Sequence, residues 1–235
     1  MADEATGDGK RAVLARHEFF RDLPAATLDR LALRARTATY AAGSRIISKG
    51  DEGHGLLAVL DGVVKISAVS DEGREIVLNL IGAGEVFGEI ALADSEPRTA
   101  DATALTACRL CVLDRRDFVP MILDDPKIAI KMLAVLAGRL RKTTQQVEDL
   151  SFEASPVRMA RALFRLAEVQ ETLSDEKPRI VITQRSLGET VGLSRESTNR
   201  LLRDWEDRGL IDIGRAAVVI LAKARLNKML RGEAG

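Results

Sequence analysis

The segment from Phe87 to Ala100 reads FGEIALADSEPRTA. It places a carboxylate, Glu89, directly after a glycine, and a guanidinium, Arg98, nine residues later. A glycine lets the backbone approach a ligand closely, and an arginine binds a phosphate through a charge-assisted fork. A carboxylate beside that phosphate needs a donor of its own, such as a sugar hydroxyl. The pattern therefore predicts a binding site for a compact sugar phosphate with one negative charge.

The sequence around this segment indicates short antiparallel strands. Pieces such as SRIIS, LLAVLDGVVKISAV and EIVLNLI are separated by turn sequences rich in glycine and aspartate. Turn signals about every ten residues are typical of an antiparallel barrel or roll. Apolar residues at helical spacing precede the strands, from about Ala12 to Arg36. We expect an α+β fold whose N-terminal domain, residues 12–125, is an antiparallel β-roll.

Composition limits the classes of protein to consider. The 235 residues include 35 basic and 35 acidic side chains, and no apolar run approaches the ~20 residues of a membrane span. Residues 1–11 are polar and acidic without an apolar core, so we expect a disordered tail rather than a signal peptide. The expected location is cytoplasmic, with no membrane partner.

The two cysteines, Cys108 and Cys111, have the CxxC spacing that often binds metals. The surrounding residues alternate like a strand, however, and side chains three apart on a strand point to opposite faces. We therefore expect structural cysteines and no metal site. The sequence also offers no nucleophile–base pair, so no catalytic residues are predicted and an enzyme is the least favoured class.

A long helix is predicted over residues 126–154. Its apolar stripe recurs at alternating spacings of four and three, as in a two-stranded coiled coil. The members of the stripe are Ala129, Leu133, Leu136, Leu140, Thr143, Val147 and Leu150. This spacing favours a homodimer over a helix packed only on its own domain, which normally has a broader apolar face. Thr143 is polar, and we expect it to face a ligand or to bond back to a carbonyl of its own helix.

The last part of the chain, residues 155–235, is predicted to bind DNA. Two short helices flank the turn Gly192-Leu193-Ser194, which is the pattern of a helix-turn-helix, and LIDIGRAAVVIL follows as a β-wing. The second helix presents Arg195, Glu196 and Arg200, side chains suited to guanine and cytosine edges in the major groove. The hydroxyls of Thr183, Ser194 and Ser197 are candidate phosphate contacts. A small excess of Lys and Arg over Asp and Glu from Glu153 onward agrees with this interpretation.

The Phe87–Ala100 segment resembles the phosphate-binding cassette of cyclic-nucleotide-binding domains. With the long helix and SRESTNR, the chain resembles the cyclic-AMP receptor protein/FNR-type family of bacterial regulators over most of its length. The resemblance implies a cyclic-nucleotide site that includes two hydroxyl residues of the long helix, one from each subunit. The implied site residues are Gly88, Glu89, Ile90, Ala91, Arg98, Thr99, Thr143 and Thr144.

For DNA binding, the resemblance implies that Arg195, Glu196 and Arg200 read a TGTGA-like half-site in a palindrome. Gln184 replaces a phosphate-contacting arginine of enteric members, and the adjacent Arg185 is the expected substitute. The iron–sulfur and haem ligands of other branches are absent from the sequence. We therefore expect a cyclic-AMP or cyclic-GMP ligand without a metal, and double-stranded DNA, a second copy of the chain and RNA polymerase as partners.

The expected function is a homodimeric transcription regulator whose DNA binding responds to a cyclic nucleotide. Two alternatives stay open at this point. One is a ligand-independent family member with a relic cassette, and the other is a signalling module that acts through protein partners. The sequence does not choose between cyclic AMP and cyclic GMP, although Thr99 beside Arg98 is a feature that accompanies cyclic-GMP preference in related eukaryotic domains.

Overall fold

The computed structural model describes residues 7–172 and 175–231. The chain begins with two helices, α1 (Gly7–Arg16) and α2 (Ala25–Arg34). Leu28 and Leu31 of α2 are buried, because they lie three apart on the face that turns toward the core.

The predicted disordered tail, residues 1–11, is corrected in part, because α1 starts at Gly7. Residues 1–6 lie outside the described residues. Two contacts hold the start of this helix, and the polar, acidic composition of the segment did not reveal them. Lys10 donates a hydrogen bond to the carbonyl of Ala35, and Arg11 forms an ion pair with Asp29.

The predicted β-roll is confirmed as two four-stranded sheets. The strands are β1 (Arg36–Tyr40), β2 (Arg45–Ile47), β3 (Gly55–Asp61), β4 (Val64–Val69), β5 (Glu75–Ile81), β6 (Val86–Phe87), β7 (Asp101–Ala104) and β8 (Cys108–Asp114). Their order is β1-β8-β3-β6 in the first sheet and β2-β7-β4-β5 in the second. β8 is central to the first sheet and pairs in antiparallel fashion with both β1 and β3. A short helix, α3 (Glu89–Asp94), follows β6, and α4 (Arg115–Asp124) follows β8.

The two cysteines lie on β8 and point into different parts of the core. Cys111 packs in a cluster with Phe20 and Phe118, whereas Cys108 packs in a second cluster with Leu110. Both thiols are free and buried. Burial raises the pKa of Cys111 to about 12. The alternation predicted from the sequence is therefore confirmed, and the two sulfurs do not form a common site.

The long helix is α5 (Pro126–Phe152), and it carries apolar side chains on two faces. Ile128 and Met132 are buried in the core of the N-terminal half. Leu133 and Leu140, members of the predicted coiled-coil stripe, are 61% and 69% exposed. One face thus packs on its own domain, and the other leaves an apolar stripe uncovered within this single chain. Within the described residues, no helix has the length and apolar character needed to cross a membrane.

The C-terminal part contains the predicted helix-turn-helix and wing. Its elements are α6 (Ser155–Val169), β9 (Arg179–Val181), α7 (Gln184–Val191), α8 (Arg195–Asp207), β10 (Ile211–Gly214), β11 (Ala217–Ile220) and α9 (Lys223–Leu230). β10 and β11 form an antiparallel hairpin, and β9 pairs with the other edge of β11. The buried Trp205 of α8 and Leu226 of α9 are in the core of this part.

The contacts group the residues into two compact units that differ from the predicted domains. The first unit comprises residues up to Ile66 together with Ile81–Arg141, and the second comprises Ser67–Leu80 together with Lys142–Gly235. The second unit therefore contains the outer part of the β4–β5 hairpin as well as the helix-turn-helix.

Candidate functional sites

Arg98 is held by carbonyl groups of the cassette. Its side chain is buried, and its two terminal nitrogens donate to the carbonyls of Gly88, at 2.7 Å, and Gly55, at 2.9 Å. Gly88 has φ +84°, and a Cβ there would lie 2.5 Å from Nη1 of Arg98. Glycine is needed at position 88 for both reasons, because other residues rarely adopt this φ and a side chain would displace the guanidinium. Burial lowers the pKa of Arg98, while Glu89 and Asp51 oppose that shift.

Glu89, the first residue of α3, has no exposed surface. It forms an ion pair with Arg139 of α5, yet neither carboxylate oxygen accepts a hydrogen bond of good geometry from the described residues. A buried carboxylate normally accepts several hydrogen bonds, since desolvation is costly without them. Glu89 therefore keeps acceptor capacity that a hydroxyl donor would satisfy.

The three charged groups suit a singly charged anion. Arg98 and Arg139 supply two positive charges near Glu89, so these three side chains together carry one net positive charge, and the charge of Asp51 also acts on Arg98. A cyclic phosphodiester carries one negative charge and a neighbouring sugar hydroxyl. The residues present thus fit the predicted ligand in charge and in hydrogen-bonding capacity.

The other predicted cassette residues differ in position. Ala91 is buried, and its carbonyl accepts from Arg115 at 3.4 Å. Ile90 is 40% exposed, and Thr99 is exposed beside Arg98. Thr143 and Thr144 are exposed on α5, and their part in the site stays a prediction.

Arg139 is a site residue that sequence reasoning missed. Heptad spacing places it outside the apolar stripe, which predicts a solvent-facing side chain. In the structure it forms the ion pair with Glu89 and also donates to the carbonyl of Val86. A buried carboxylate such as Glu89 needs a cation nearby, and this need was the one signal in the sequence that could have led to a search for a partner such as Arg139.

The helix-turn-helix has the close crossing that the sequence predicts. A Cβ at Gly188 of α7 would lie 2.5 Å from the hydroxyl oxygen of Thr198 on α8, so only glycine fits there. Thr198 is buried, and its hydroxyl donates to the carbonyl of Ser194 at 2.9 Å. Gly192 ends α7 with φ +67°, the left-handed conformation that glycine favours at such positions.

Two of the three predicted phosphate-contacting hydroxyls, those of Thr183 and Ser194, cap helices. Thr183 accepts from the amide of Ser186 at 3.1 Å, and Ser194 accepts from the amide of Ser197 at 3.2 Å. These caps hold the first turns of α7 and α8, and Thr183 and Ser194 remain at the surface. The caps show a structural role, and contact with phosphate stays a prediction.

The predicted base-reading side chains are exposed on the first turns of α8. Arg195 is exposed, and Glu196 pairs loosely with Arg200 at 3.8 Å. Such an exposed pair contributes only a few tenths of a kcal/mol to stability. Arg185 of α7 pairs with Glu189 at 2.8 Å and is also exposed. These side chains are thus available to another molecule at little cost to the fold.

The two regions define a class of protein in which a domain with a phosphate-binding cassette precedes a winged helix-turn-helix. The model of the cyclic nucleotide-binding domain matches residues 37–125, and that of the Crp-like helix-turn-helix domain matches residues 157–229. No group of three or more His, Cys, Asp or Glu residues able to hold a metal occurs in the described ranges. The chain belongs to the CRP/FNR family of transcription regulators.

Relatives cover most of the chain. A CRP-like cAMP-activated global transcriptional regulator of Mycobacterium tuberculosis is 33% identical over 93% of this chain and 99% of its own. The cyclic AMP receptor protein of Thermus thermophilus is 33% identical over 83% of this chain and 88% of its own. Among solved structures, the cyclic-di-GMP-responsive regulator CLP of Xanthomonas campestris is 27% identical, with a TM-score of 0.73, over 84% of this chain and 99% of its own.

Proposed function

We propose that this protein is a homodimeric, sequence-specific DNA-binding transcription regulator that responds to a cyclic nucleotide. The observation that carries the proposal is the buried Glu89, which is paired with Arg139 but accepts no hydrogen bond of good geometry from the residues that the structure describes. A fully buried carboxylate between two arginines is costly for a purely structural element, and a sugar hydroxyl supplies the missing donor.

The proposed binding mode exchanges internal contacts for ligand contacts. The cyclic phosphate takes the guanidinium of Arg98 from the carbonyls of Gly88 and Gly55, which are its present partners. The ribose 2′-hydroxyl donates to Glu89. Thr143 and Thr144 contact the purine, one of them from the partner subunit, and Thr99 lies at the edge of the phosphate site.

Through Arg139, ligand binding at the cassette can affect the long helix α5. Because Arg139 belongs to α5, a ligand that changes the charge around Glu89 changes the pairing that holds this helix to the cassette. A ligand shifts an equilibrium only through contacts that differ between two states, and the Glu89–Arg139 pair is such a contact. We expect the shift to bring the two α8 helices of a dimer to a spacing of about 34 Å, one turn of DNA.

Dimer formation is supported by the uncovered stripe of α5. Leu133, Leu140 and Val147 are more than half exposed, which is unusual for aliphatic side chains of one helix unless a partner covers them. Sedimentation equilibrium should give a dimer, and Leu140→Asp should shift it toward monomer. A wild-type monomer at micromolar concentration would contradict the proposal.

Calorimetric titration tests the ligand. The names of the relatives favour cyclic AMP, and cyclic GMP is the alternative that Thr99 raises. Titration of the full chain with both nucleotides and with cyclic di-GMP separates these ligands. Binding of neither mononucleotide would contradict the proposed cassette function and would support the ligand-independent alternative.

The DNA interface is tested with a duplex carrying a TGTGA palindrome and with a scrambled duplex. Arg195→Ala and Arg200→Ala should each weaken binding to the palindrome by about 1–3 kcal/mol and leave the scrambled duplex little affected. Arg208→Ala is the matched control, since Arg208 lies at the other end of α8 and pairs with Asp204. If both variants behave like this control, α8 contacts a protein rather than DNA.

The coupling between the two functions depends on the threonines of α5. Thr143→Ala combined with Thr144→Ala should remove the effect of nucleotide on palindrome binding while the protein stays folded. Full nucleotide-dependent binding by this double variant would contradict the proposed contact. RNA polymerase is the partner expected once the protein is on DNA, and transcription in vitro with and without the palindrome tests that contact.

A further inference from the structure

A cavity of about 750 Å³ opens at the start of α4, within the first compact unit. Cavities of this size are typical of sites for small organic molecules. Its wall combines three arginines and one aspartate with an apolar strip of α4. These residues are Arg36, Asp114, Arg115, Arg116, Val119 and Pro120. None of the described residues that line it belongs to the segment 87–100, so the cavity is separate from the cassette site.

The charges in the wall of this cavity do not balance. Arg36 and Arg116 each approach the carboxylate of Asp114 at 3.5 Å, one at each oxygen. A close charge-assisted pair is about 2.7–2.9 Å long, so two guanidinium groups share one carboxylate loosely. With Arg115, the wall carries three positive charges against the one negative charge of Asp114. The excess of two positive charges favours an anion with two charges.

The charged groups next to the cavity do not remove this excess. Asp117 lies 3.9 Å from Arg116, but Arg34 approaches the same carboxyl group at 3.5 Å. His54, which also lines the cavity, pairs with Glu52 at 3.2 Å. The side chain of Glu52 is 84% exposed, so water and salt screen its charge.

We propose that this cavity binds a phosphomonoester dianion whose organic part lies on Val119 and Pro120. Arginine is suited to phosphate because its planar guanidinium donates two parallel hydrogen bonds. Pro120 follows Arg116 by four residues, as Val119 follows Arg115, so the apolar strip and the two charges share one face of α4. The cavity therefore offers a charged end for the phosphate and an apolar end for the rest of the ligand.

Two residues of the cavity wall contact Ala91 of the cassette. Arg115 donates to the carbonyl of Ala91 at 3.4 Å. Gly53 lies so close to Ala91 that there is no room for a Cβ at position 53. A phosphate that draws Arg115 away would remove the donor of the Ala91 carbonyl and loosen α3, which begins at Glu89. A less preorganised site binds its ligand more weakly, so the dianion should lower the affinity of the cassette for cyclic nucleotide.

Phenyl phosphate is a suitable probe, because it is a dianion above its second pKa of about 6 and carries an apolar ring. In amide NMR of the full-length protein at pH 8, it should shift the signals of residues 53–54 and 114–120. Inorganic phosphate should shift them less at the same concentration, and phenol should not shift them. Shifts confined to residues 87–100 would place the probe in the cassette and overturn the new site. Absence of any shift in 114–120 would overturn it as well.

Substitutions should change the affinity for phenyl phosphate in both directions. Arg116→Ala should raise its Kd about tenfold, the effect of one lost charge-assisted hydrogen bond. Asp114→Asn should lower the Kd, because it removes the competing carboxylate, and Asp114 makes no side-chain capping bond that α4 would lose. Arg45→Ala is the control, since it removes one positive charge outside the cavity. Equal losses in Arg116→Ala and Arg45→Ala would reduce the effect to general electrostatics and overturn the site.

The effect on the cassette rests on the proposed cyclic-nucleotide function, whereas the anion site does not. In calorimetry, phenyl phosphate should raise the Kd for cyclic AMP about fivefold, at the low end of typical couplings between sites. The rise should level off as the probe saturates, while direct competition in the cassette would grow with concentration. An unchanged Kd, or a rise without a plateau, would overturn the effector role. If cyclic nucleotides do not bind at all, the proposed function fails, and the NMR titration still decides whether the cavity binds the dianion.

Discussion

The cassette and helix α8 use charged side chains in opposite ways. In the cassette, Arg98 and Glu89 are buried and already engaged, Arg98 by two carbonyls and Glu89 by Arg139. On α8, Arg195, Glu196 and Arg200 are exposed and contribute little to the fold. A ligand of the cassette would have to replace internal partners, whereas DNA bound at α8 would meet exposed side chains whose one pair, between Glu196 and Arg200, is loose.

In the cassette, the same side chains therefore determine both the stability of the fold and the affinity for ligand. On α8, the exposed side chains affect binding but hardly affect stability. Removing a buried donor leaves its acceptors unsatisfied, which costs about 1–3 kcal/mol each. Truncating an exposed side chain normally changes stability by less than about 0.5 kcal/mol. Cassette substitutions should therefore affect both ligand affinity and folding, and substitutions on the outer side of α8 should affect only DNA binding.

The largest expected effect comes from Arg98→Ala. The variant loses the charge-assisted fork to phosphate, so the Kd for cyclic nucleotide should rise at least about 100-fold, close to 3 kcal/mol. The carbonyls of Gly55 and Gly88 lose their donor, and urea unfolding should show a lower free energy of unfolding. Arg45→Ala is the control, since Arg45 is exposed and pairs with Asp101. An affinity loss shared by both variants would show that Arg98 has no special role.

His17 is a buried polar residue of the N-terminal unit. Its side chain is 5% exposed, Nε2 has no hydrogen-bond partner in the described part of the chain, and burial lowers its pKa from 6.5 to about 4. Between these two values the unfolded chain binds more protons than the folded one. The free energy of unfolding should therefore fall by about 3 kcal/mol as the pH drops from 6.5 to 4, and this contribution should not fall further below pH 4.

Denaturant unfolding at several pH values measures this dependence. His17→Phe should remove that part of the pH dependence, while His54→Gln, a change at an exposed histidine, should leave it in place. An equal slope in wild type and His17→Phe would assign the dependence to other groups.

The smallest expected effect is at the caps of the exposed region. Ser194→Ala removes the acceptor for the amide of Ser197 and should lower the free energy of unfolding by about 1 kcal/mol. Ser194→Gly should lower the free energy of unfolding by only a few tenths of a kcal/mol, because glycine is itself tolerated at the cap. Thermal unfolding of the three proteins gives the comparison. A loss as large as that of Arg98→Ala would show that the α8 surface is not independent of the fold.

The helices, strands and turns could be predicted from the sequence because residues close together in the chain determine them. Gly192 with Ser194 predicted the turn and cap of the helix-turn-helix, and Gly88 with Arg98 predicted the cassette. The Glu89–Arg139 pair was not predictable from spacing, because it joins residues fifty positions apart and heptad periodicity describes only one face of α5. The hydrogen bond from Arg165 of α6 to Asn79 of β5 was missed for the same reason, since neither residue has a local pattern that identifies its partner.

The opposed cysteines of β8 have a practical consequence for measuring the motion of α8. With the pKa of Cys111 near 12 and both sulfurs inside separate core clusters, very little thiolate is available for alkylation near neutral pH. The native sequence is thus a ready background for site-specific labelling. A cysteine introduced at the exposed Arg203 would carry a spin label without removal of the native pair. Distances between labels in the proposed dimer would then test whether the two α8 helices change their separation when nucleotide is added.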